Sequence, residues 1–349
     1  MGIRRKLSSS LDRVLGPDRT AGLRRMEART RTRLIDLLDV EGARPVRRPA
    51  ARPRKASPRP RLTRDELIAA HGRLSPEGVS HAKPGSLPWA AHDPFADFPA
   101  PTGSGLSVLQ GLHERLRPRT YVEIGVSRGR SLGLSRTRSI GVDPDFRITW
   151  PISCDVRIVK ETSDDFFARP DAFDHFAGVP VDLGFIDGMH LAEFALRDFM
   201  HLERHMSRAG VIVLDDMLPR NSLEAYRIRR TKAWTGDVYK LHEVLTTYRP
   251  DLTIIPVNAR LTGSYLVVGL DPDSTVLEEH YDEIEARIAT PDPQVVPQDW
   301  LERRTAVDAA TLLGLDVWEK LAAARDPEPS PGALAPLWAE LAALPRVGG

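Results

Sequence analysis

Three aspartates sit where apolar runs end. The segment DLGFIDGMH carries Asp187, and GVIVLDDM carries Asp215 and Asp216. Both read as buried strands, and adjacent strand ends would bring the three acids together. Carboxylates that close need either a cation or raised pKa values. An all-oxygen ligand set favours a hard ion such as Mg²⁺ over zinc, and no cysteine lies near to argue otherwise. The alternative is structural: Asp187 holding a loop, Asp215 capping the next helix and Asp216 facing solvent.

A second group precedes them. VEIGVSRGRS places Glu123, Gly125 and Gly129 in an E-x-G-x-x-x-G turn after another apolar run. The spacing is not the G-x-G-x-x-G of dinucleotide folds, which disfavours a nicotinamide enzyme. The next run, SIGV, leads into Asp143, whose carboxylate suits a ribose diol, and VRIVKETSDD leads into Thr162, Ser163 and Asp164, suited to an adenine edge. In open α/β sheets ligands bind outside the carboxyl ends of the strands. A glycine turn, an acid and a polar pair on successive strand ends therefore describe a nucleoside site.

Those elements imply a scaffold. Strand-like runs fall at 121–124, 139–142, 156–159, 181–186, 211–214, 252–257 and 264–268, with helical patterns at 103–118, 129–136, 162–170, 191–208 and 238–248. Apolar strands separated by helices predict a doubly wound, mostly parallel α/β sheet of seven strands. The last two runs are too close for a crossover helix, so the final strand is expected antiparallel.

Region 105–270 resembles the class I S-adenosylmethionine-dependent methyltransferases, and within them the bacterial methyltransferase domain 24 type. VEIGVSRGRS resembles the first motif of that family, IGVD the second, and DLGFIDGMH with GVIVLDDM the fourth and fifth strands; AWTGDVYK and TGSYLVVGL also recur in it. The resemblance implies a Rossmann-like methyltransferase fold and S-adenosylmethionine as cofactor. Glu123, Gly125, Gly129, Asp143, Ser163 and Asp164 would then surround it, with Ser131 toward its carboxylate. The short helix expected at 129–136 would leave the methionine end more exposed than usual. The acid layout is similar to the metal-dependent catechol-type O-methyltransferases, which implies Asp187, Asp215 and Asp216 as metal ligands. His190 stands where that group has a basic side chain, and so is the expected base, with Asp187 also catalytic. The implied reaction is metal-assisted O-methylation of a sugar or other small hydroxylated acceptor. A metal-independent N- or O-methyltransferase and an inactive methyltransferase-fold scaffold are the alternatives.

The segment 217–237 should lie over this site. It carries Arg220, Arg227, Arg229, Arg230 and Lys232, which suits either an acidic acceptor or plain solvation, and Trp234, a core anchor or a sugar-stacking ring.

Composition frames the whole. Of 349 residues 41% are hydrophobic, enough for a substantial core. Residues 1–64 hold 17 arginines and two lysines against six acids, a net of +13, which leaves −12 for 65–349. The sequence therefore divides into a basic arm at 1–64 (a helix over 18–42, then a disordered Pro/Arg-rich linker over 43–61), a methyltransferase domain at 65–270, and a helical extension at 271–349. The arm suits an anionic surface or simple solvation. One cysteine, Cys154, excludes an internal disulfide, and no transmembrane run or signal peptide is visible, so a cytoplasmic protein is expected; an oligomer is compatible with all of this.

Overall fold

A computed structural model describes residues 101–231 and 233–347. The chain divides into two units, Met1–Pro60 and Arg61–Gly349, and all described residues belong to the second. The helix expected over 18–42, the linker over 43–61 and the position of Lys232 lie outside the described residues.

The chain runs β1 (Gly103–Ser104), α1 (Gly105–Leu116), β2 (Thr120–Ile124), β3 (Arg138–Val142), β4 (Val156–Val159), α2 (Ser163–Phe167), β5 (Val181–Ile186), α3 (Ala192–Glu203), β6 (Met206–Asp215), α4 (Leu241–Tyr248), β7 (Thr253–Arg260) and β8 (Ser264–Val268). It continues through α5 (Val276–Glu279), α6 (Tyr281–Ile288), α7 (Gln298–Leu301), β9 (Val307–Asp308), α8 (Ala309–Leu313), α9 (Val317–Ala324) and α10 (Ala335–Ala342). Across the sheet the order is β1-β7-β8-β6-β5-β2-β3-β4, with β9 also beside β7. Every pairing is parallel except those of β8, which is antiparallel to both β6 and β7. The seven strands from β7 to β4, the reversed β8 among them, match the expected Rossmann-like methyltransferase sheet.

Alternation along the strands explains the layering. Val122 and Ile124 of β2 join Ile212 and Leu214 of β6 on one face. Tyr121, Leu183, Phe185, Val211 and Val213 face the other way. A two-residue period with both sides apolar buries the sheet between helices. The C-terminal elements share this core: Trp318 and Leu321 of α9 are fully buried in the same cluster as Val108, Leu109 and Leu112 of α1. Among the described residues no helix is long and apolar enough to cross a membrane.

The helix expected at 129–136 is absent. In its place is a single 3-10 turn, Leu132–Leu134. Gly125, Ser127 and Gly129 all take left-handed backbone, with φ of 93°, 49° and 77°. Turning consumes the residues that a helix would need before β3 begins.

Candidate functional site

Strand register assembles the site. Val159, Val142, Ile124, Ile186 and Leu214 lie side by side across β4, β3, β2, β5 and β6. The residues that follow them therefore emerge along one carboxyl edge, Asp143, Gly125, Asp187 and Asp215 among them. The Asp187 amide donates to the Ile124 carbonyl at 2.8 Å, extending the β2–β5 ladder by one rung.

This edge opens into a cavity of about 700 Å³. Gly125, Asp143, Ser163 and Asp164 line it together with Asp187, His190, Asp215 and Asp216. Asp143 accepts from two backbone amides, Ser127 and Asp145, each at 2.7 Å, which fixes its carboxylate. Thr162 caps α2 by accepting from the Asp165 amide at 3.1 Å. Asp164 holds Arg197 through both oxygens, at 3.0 and 2.9 Å.

Three expected cofactor residues do not line the cavity. Glu123 is fully buried behind it, accepting from Tyr121 Oη at 2.6 Å and from Ser131 Oγ at 2.7 Å. Ser131 thus spends its hydroxyl on Glu123. Burial pushes the Glu123 carboxyl up to about 8, against the two hydrogen bonds that favour its charge. Gly129 turns toward Ile148 and Ile152, where a Cβ would meet Ile148 Cδ1 at 3.0 Å.

The acidic end is organised around His190. Its Nε2 stands 3.1 Å from Asp187 Oδ1, and its Nδ1 stands 3.0 Å from Asp216 Oδ2 and 2.8 Å from the Trp234 carbonyl. The ring stacks on Trp234 with centroids 5.1 Å apart and planes 10° from parallel. Burial alone would lower the His190 pKa, but the Asp216 and Asp187 carboxylates overcome it and lift the imidazole to about 10. Asp187, Asp215 and Asp216 are each raised, by burial first and by neighbouring acids as well. Asp187, His190 and Asp216 offer ligand atoms all within 4.8 Å of one another. Asp215 lines the cavity beside them, and its Oδ1 accepts from the Ser264 hydroxyl at 2.7 Å.

The segment over the site divides its cations. Arg220 is buried against Glu224, and Arg227 pairs with Glu193 and Asp237. Arg230 is buried as well. Arg229 donates from Nε to the Thr231 carbonyl at 3.3 Å and lines the cavity, with its guanidinium 5.8 Å from the Trp234 ring centre. Trp234 is fixed by its indole N–H on the Tyr226 carbonyl and also lines the cavity.

Sequence reasoning missed Asp198. It lies on α3, 2% exposed, at the cavity wall, and burial raises it to about 7 although Ser163 hydrogen-bonds to it. An acid amid the apolar positions of LAEFALRDF was the available signal. A second cavity, of about 710 Å³, lies by α4 among Tyr239, His242, Tyr248 and Trp300. Its cations Lys240 and Arg287 already pair with Asp237 and Glu243, and it gathers no cluster of acids.

Residues 122–217 match the family model of a methyltransferase domain. No curated protein matches the chain. Among solved structures, an O-methyltransferase from Bacillus cereus in complex with S-adenosylhomocysteine is similar at 17% identity over 50% of this chain and 86% of that one, with a TM-score of 0.35. The O-methyltransferase TomG from Streptomyces achromogenes, in complex with S-adenosylmethionine, aligns at 18% identity over 51% and 86%, TM-score 0.34. A putative caffeoyl-CoA O-methyltransferase from Staphylococcus aureus aligns at 16% over 59% and 98%, TM-score 0.36.

Proposed function

We propose that this chain is a class I S-adenosylmethionine-dependent methyltransferase that methylates a hydroxyl oxygen of a sugar or other small, anionic acceptor with the help of a divalent cation. One observation carries the reading. The carboxylates of Asp187 and Asp216 and the imidazole of His190 converge within 4.8 Å in the same cavity that Asp143 and Ser163 line.

The residues present fit both groups. Gly125, Asp143, Ser163 and Asp164 would hold the cofactor's adenosine, and the acids at 187, 215 and 216 face the end where its positive sulfonium would lie. Asp187 and Asp216 would hold the cation, with Asp215 next to them. When bound, S-adenosylmethionine supplies an electrophilic methyl group and a divalent cation lowers the pKa of an acceptor hydroxyl.

The chain's own work is positioning and proton handling. Holding acceptor against donor in line is worth about 7–11 kcal/mol of barrier. His190 is kept protonated by Asp187 and Asp216, so it accepts a proton only after those carboxylates are neutralised. Then its pKa returns toward the ordinary imidazole range, where base catalysis at neutral pH is effective. Arg229 at the rim supplies the cation for an anionic acceptor. Cys154 is a free thiol, in keeping with our proposal of a cytoplasmic location.

A second reading rests on the same histidine. The His190 imidazolium already bridges Asp187 and Asp216 at 3.1 and 3.0 Å, which would let the site work without metal. Calorimetry with S-adenosylhomocysteine, with and without Mg²⁺, tests both. Asp143→Ala should weaken binding at least tenfold, while Asp215→Ala should spare it and abolish turnover. Full activity in EDTA would favour the metal-free reading; unchanged affinity in Asp143→Ala would overturn the cofactor assignment.

A further inference from the structure

The C-terminal part of the chain reaches the acidic end through one side chain. Arg303, just after α7, is 1% exposed. Its Nη1 donates to Asn258 Oδ1 at 2.8 Å and to the Ala259 carbonyl at 3.1 Å. Its Nη2 donates to the Leu218 carbonyl at 3.4 Å and to the Leu261 carbonyl. The guanidinium thus staples β7 and the β7–β8 turn to the chain leaving β6. These four partners are neutral amide oxygens, and the Glu224 carboxylate adds an attraction through space that offsets part of the cost of burying the charge.

What the staple joins is informative. Leu218 follows Asp216 by two residues, and Leu261 precedes Thr262. Thr262 Oγ1 donates to Asp216 Oδ1, and the Leu218 amide donates back to the Thr262 carbonyl at 2.6 Å. Asp216 itself has a left-handed backbone, φ 61°, so its carboxylate direction depends on its surroundings. Fixing the carbonyls on both sides of the Thr262–Asp216 bond fixes that direction.

We propose that Arg303 is a positioning residue of the active site, orienting Asp216 through the Leu261–Thr262 turn and thereby making the C-terminal extension part of the catalytic apparatus. This rests on the reading of Asp216 as a cation ligand. Outer partners of metal ligands typically change affinity 10–100-fold.

The test uses full-length protein loaded with S-adenosylhomocysteine and Mn²⁺ as the probe, read by electron paramagnetic resonance. Arg303→Met should weaken Mn²⁺ about 10–100-fold and Arg303→Lys less, with S-adenosylhomocysteine affinity within about twofold of wild type. Amide exchange should quicken at 216–218 and 261–263. Thr262→Val should lower Mn²⁺ affinity by itself, and adding it to an Arg303 variant should cost less than the two losses combined. A folded Arg303 variant that binds Mn²⁺ like wild type overturns the proposal. If the Arg303 variants do not fold, wild-type Mn²⁺ affinity in Thr262→Val overturns it. Wild-type protein that binds no Mn²⁺ overturns the cation reading instead, and unaltered exchange at the two segments in Arg303→Lys then overturns the positioning role separately.

Discussion

The carbonyl oxygen of Asp187 fills the space where a side chain on Gly125 would begin: an ideal Cβ at position 125 would lie 1.9 Å from it. The first glycine of the turn therefore serves the approach of β2 to β5, and through it the placing of Asp187 in the cavity. Gly125 also holds φ 93°, which costs any other residue of order 1–3 kcal/mol. Gly125→Ala is expected to lose about 3 kcal/mol or more of stability and most S-adenosylhomocysteine binding, checked by urea unfolding and calorimetry. A variant with wild-type stability and affinity would show that this close approach is not required.

Much of this was legible because strands obey a two-residue period. The runs at 156–159, 181–186 and 264–268 coincide with β4, β5 and β8. Once their ends were placed on one edge, the meeting of Asp143, Asp187 and Asp215 followed. What the sequence hid depends on partners distant along the chain. Arg227 looked like a free cation, yet Glu193, 34 residues earlier, claims it. Arg303 carries no motif at all; its role comes from four acceptors on segments 42 to 85 residues away. The missing helix at 129–136 was hidden because Ser127, whose type gives no hint of it, takes left-handed backbone.

Glu123 gives a pH signature. Its carboxyl stands near 8 in the fold against an ordinary 4.5. The folded state thus holds a proton that the unfolded chain releases, so this contribution is fully present below about pH 4.5 and is lost as pH rises to 8. The slope is at most about 1.4 kcal/mol per pH unit. Glu123→Gln keeps the shape and removes the titration. Urea unfolding at pH 5, 6.5 and 8 should show the variant gaining about 2–4 kcal/mol on wild type between the two extremes. Parallel profiles would mean that Glu123 is ionised in the fold.

His190 should make cation binding proton-linked. Asp187 and Asp216 hold a proton on the imidazole, and a divalent ion competing for the same carboxylates must displace it. Mn²⁺ affinity is expected to climb with pH from 6.5 to 9, with about one proton released per ion at neutral pH, measured by titration calorimetry in buffers of different ionisation enthalpy. His190→Gln should abolish most of that release. Equal proton release in variant and wild type would assign the proton to one of the aspartates.

Arg229 should set acceptor charge preference. Its guanidinium lines the cavity beside Trp234. Two probes separate charge from shape: catechol and 3,4-dihydroxybenzoate share the vicinal diol, and only the second carries a carboxylate. A charge-assisted hydrogen bond is worth about 1.5–3 kcal/mol, or roughly 10- to 100-fold. Arg229→Gln should therefore cut kcat/KM for 3,4-dihydroxybenzoate by that factor and leave catechol within about threefold, with S-adenosylhomocysteine affinity unchanged. Equal losses on the two acceptors would reduce Arg229 to a wall of the cavity, and a wild-type preference for catechol would remove the anionic acceptor from the proposal.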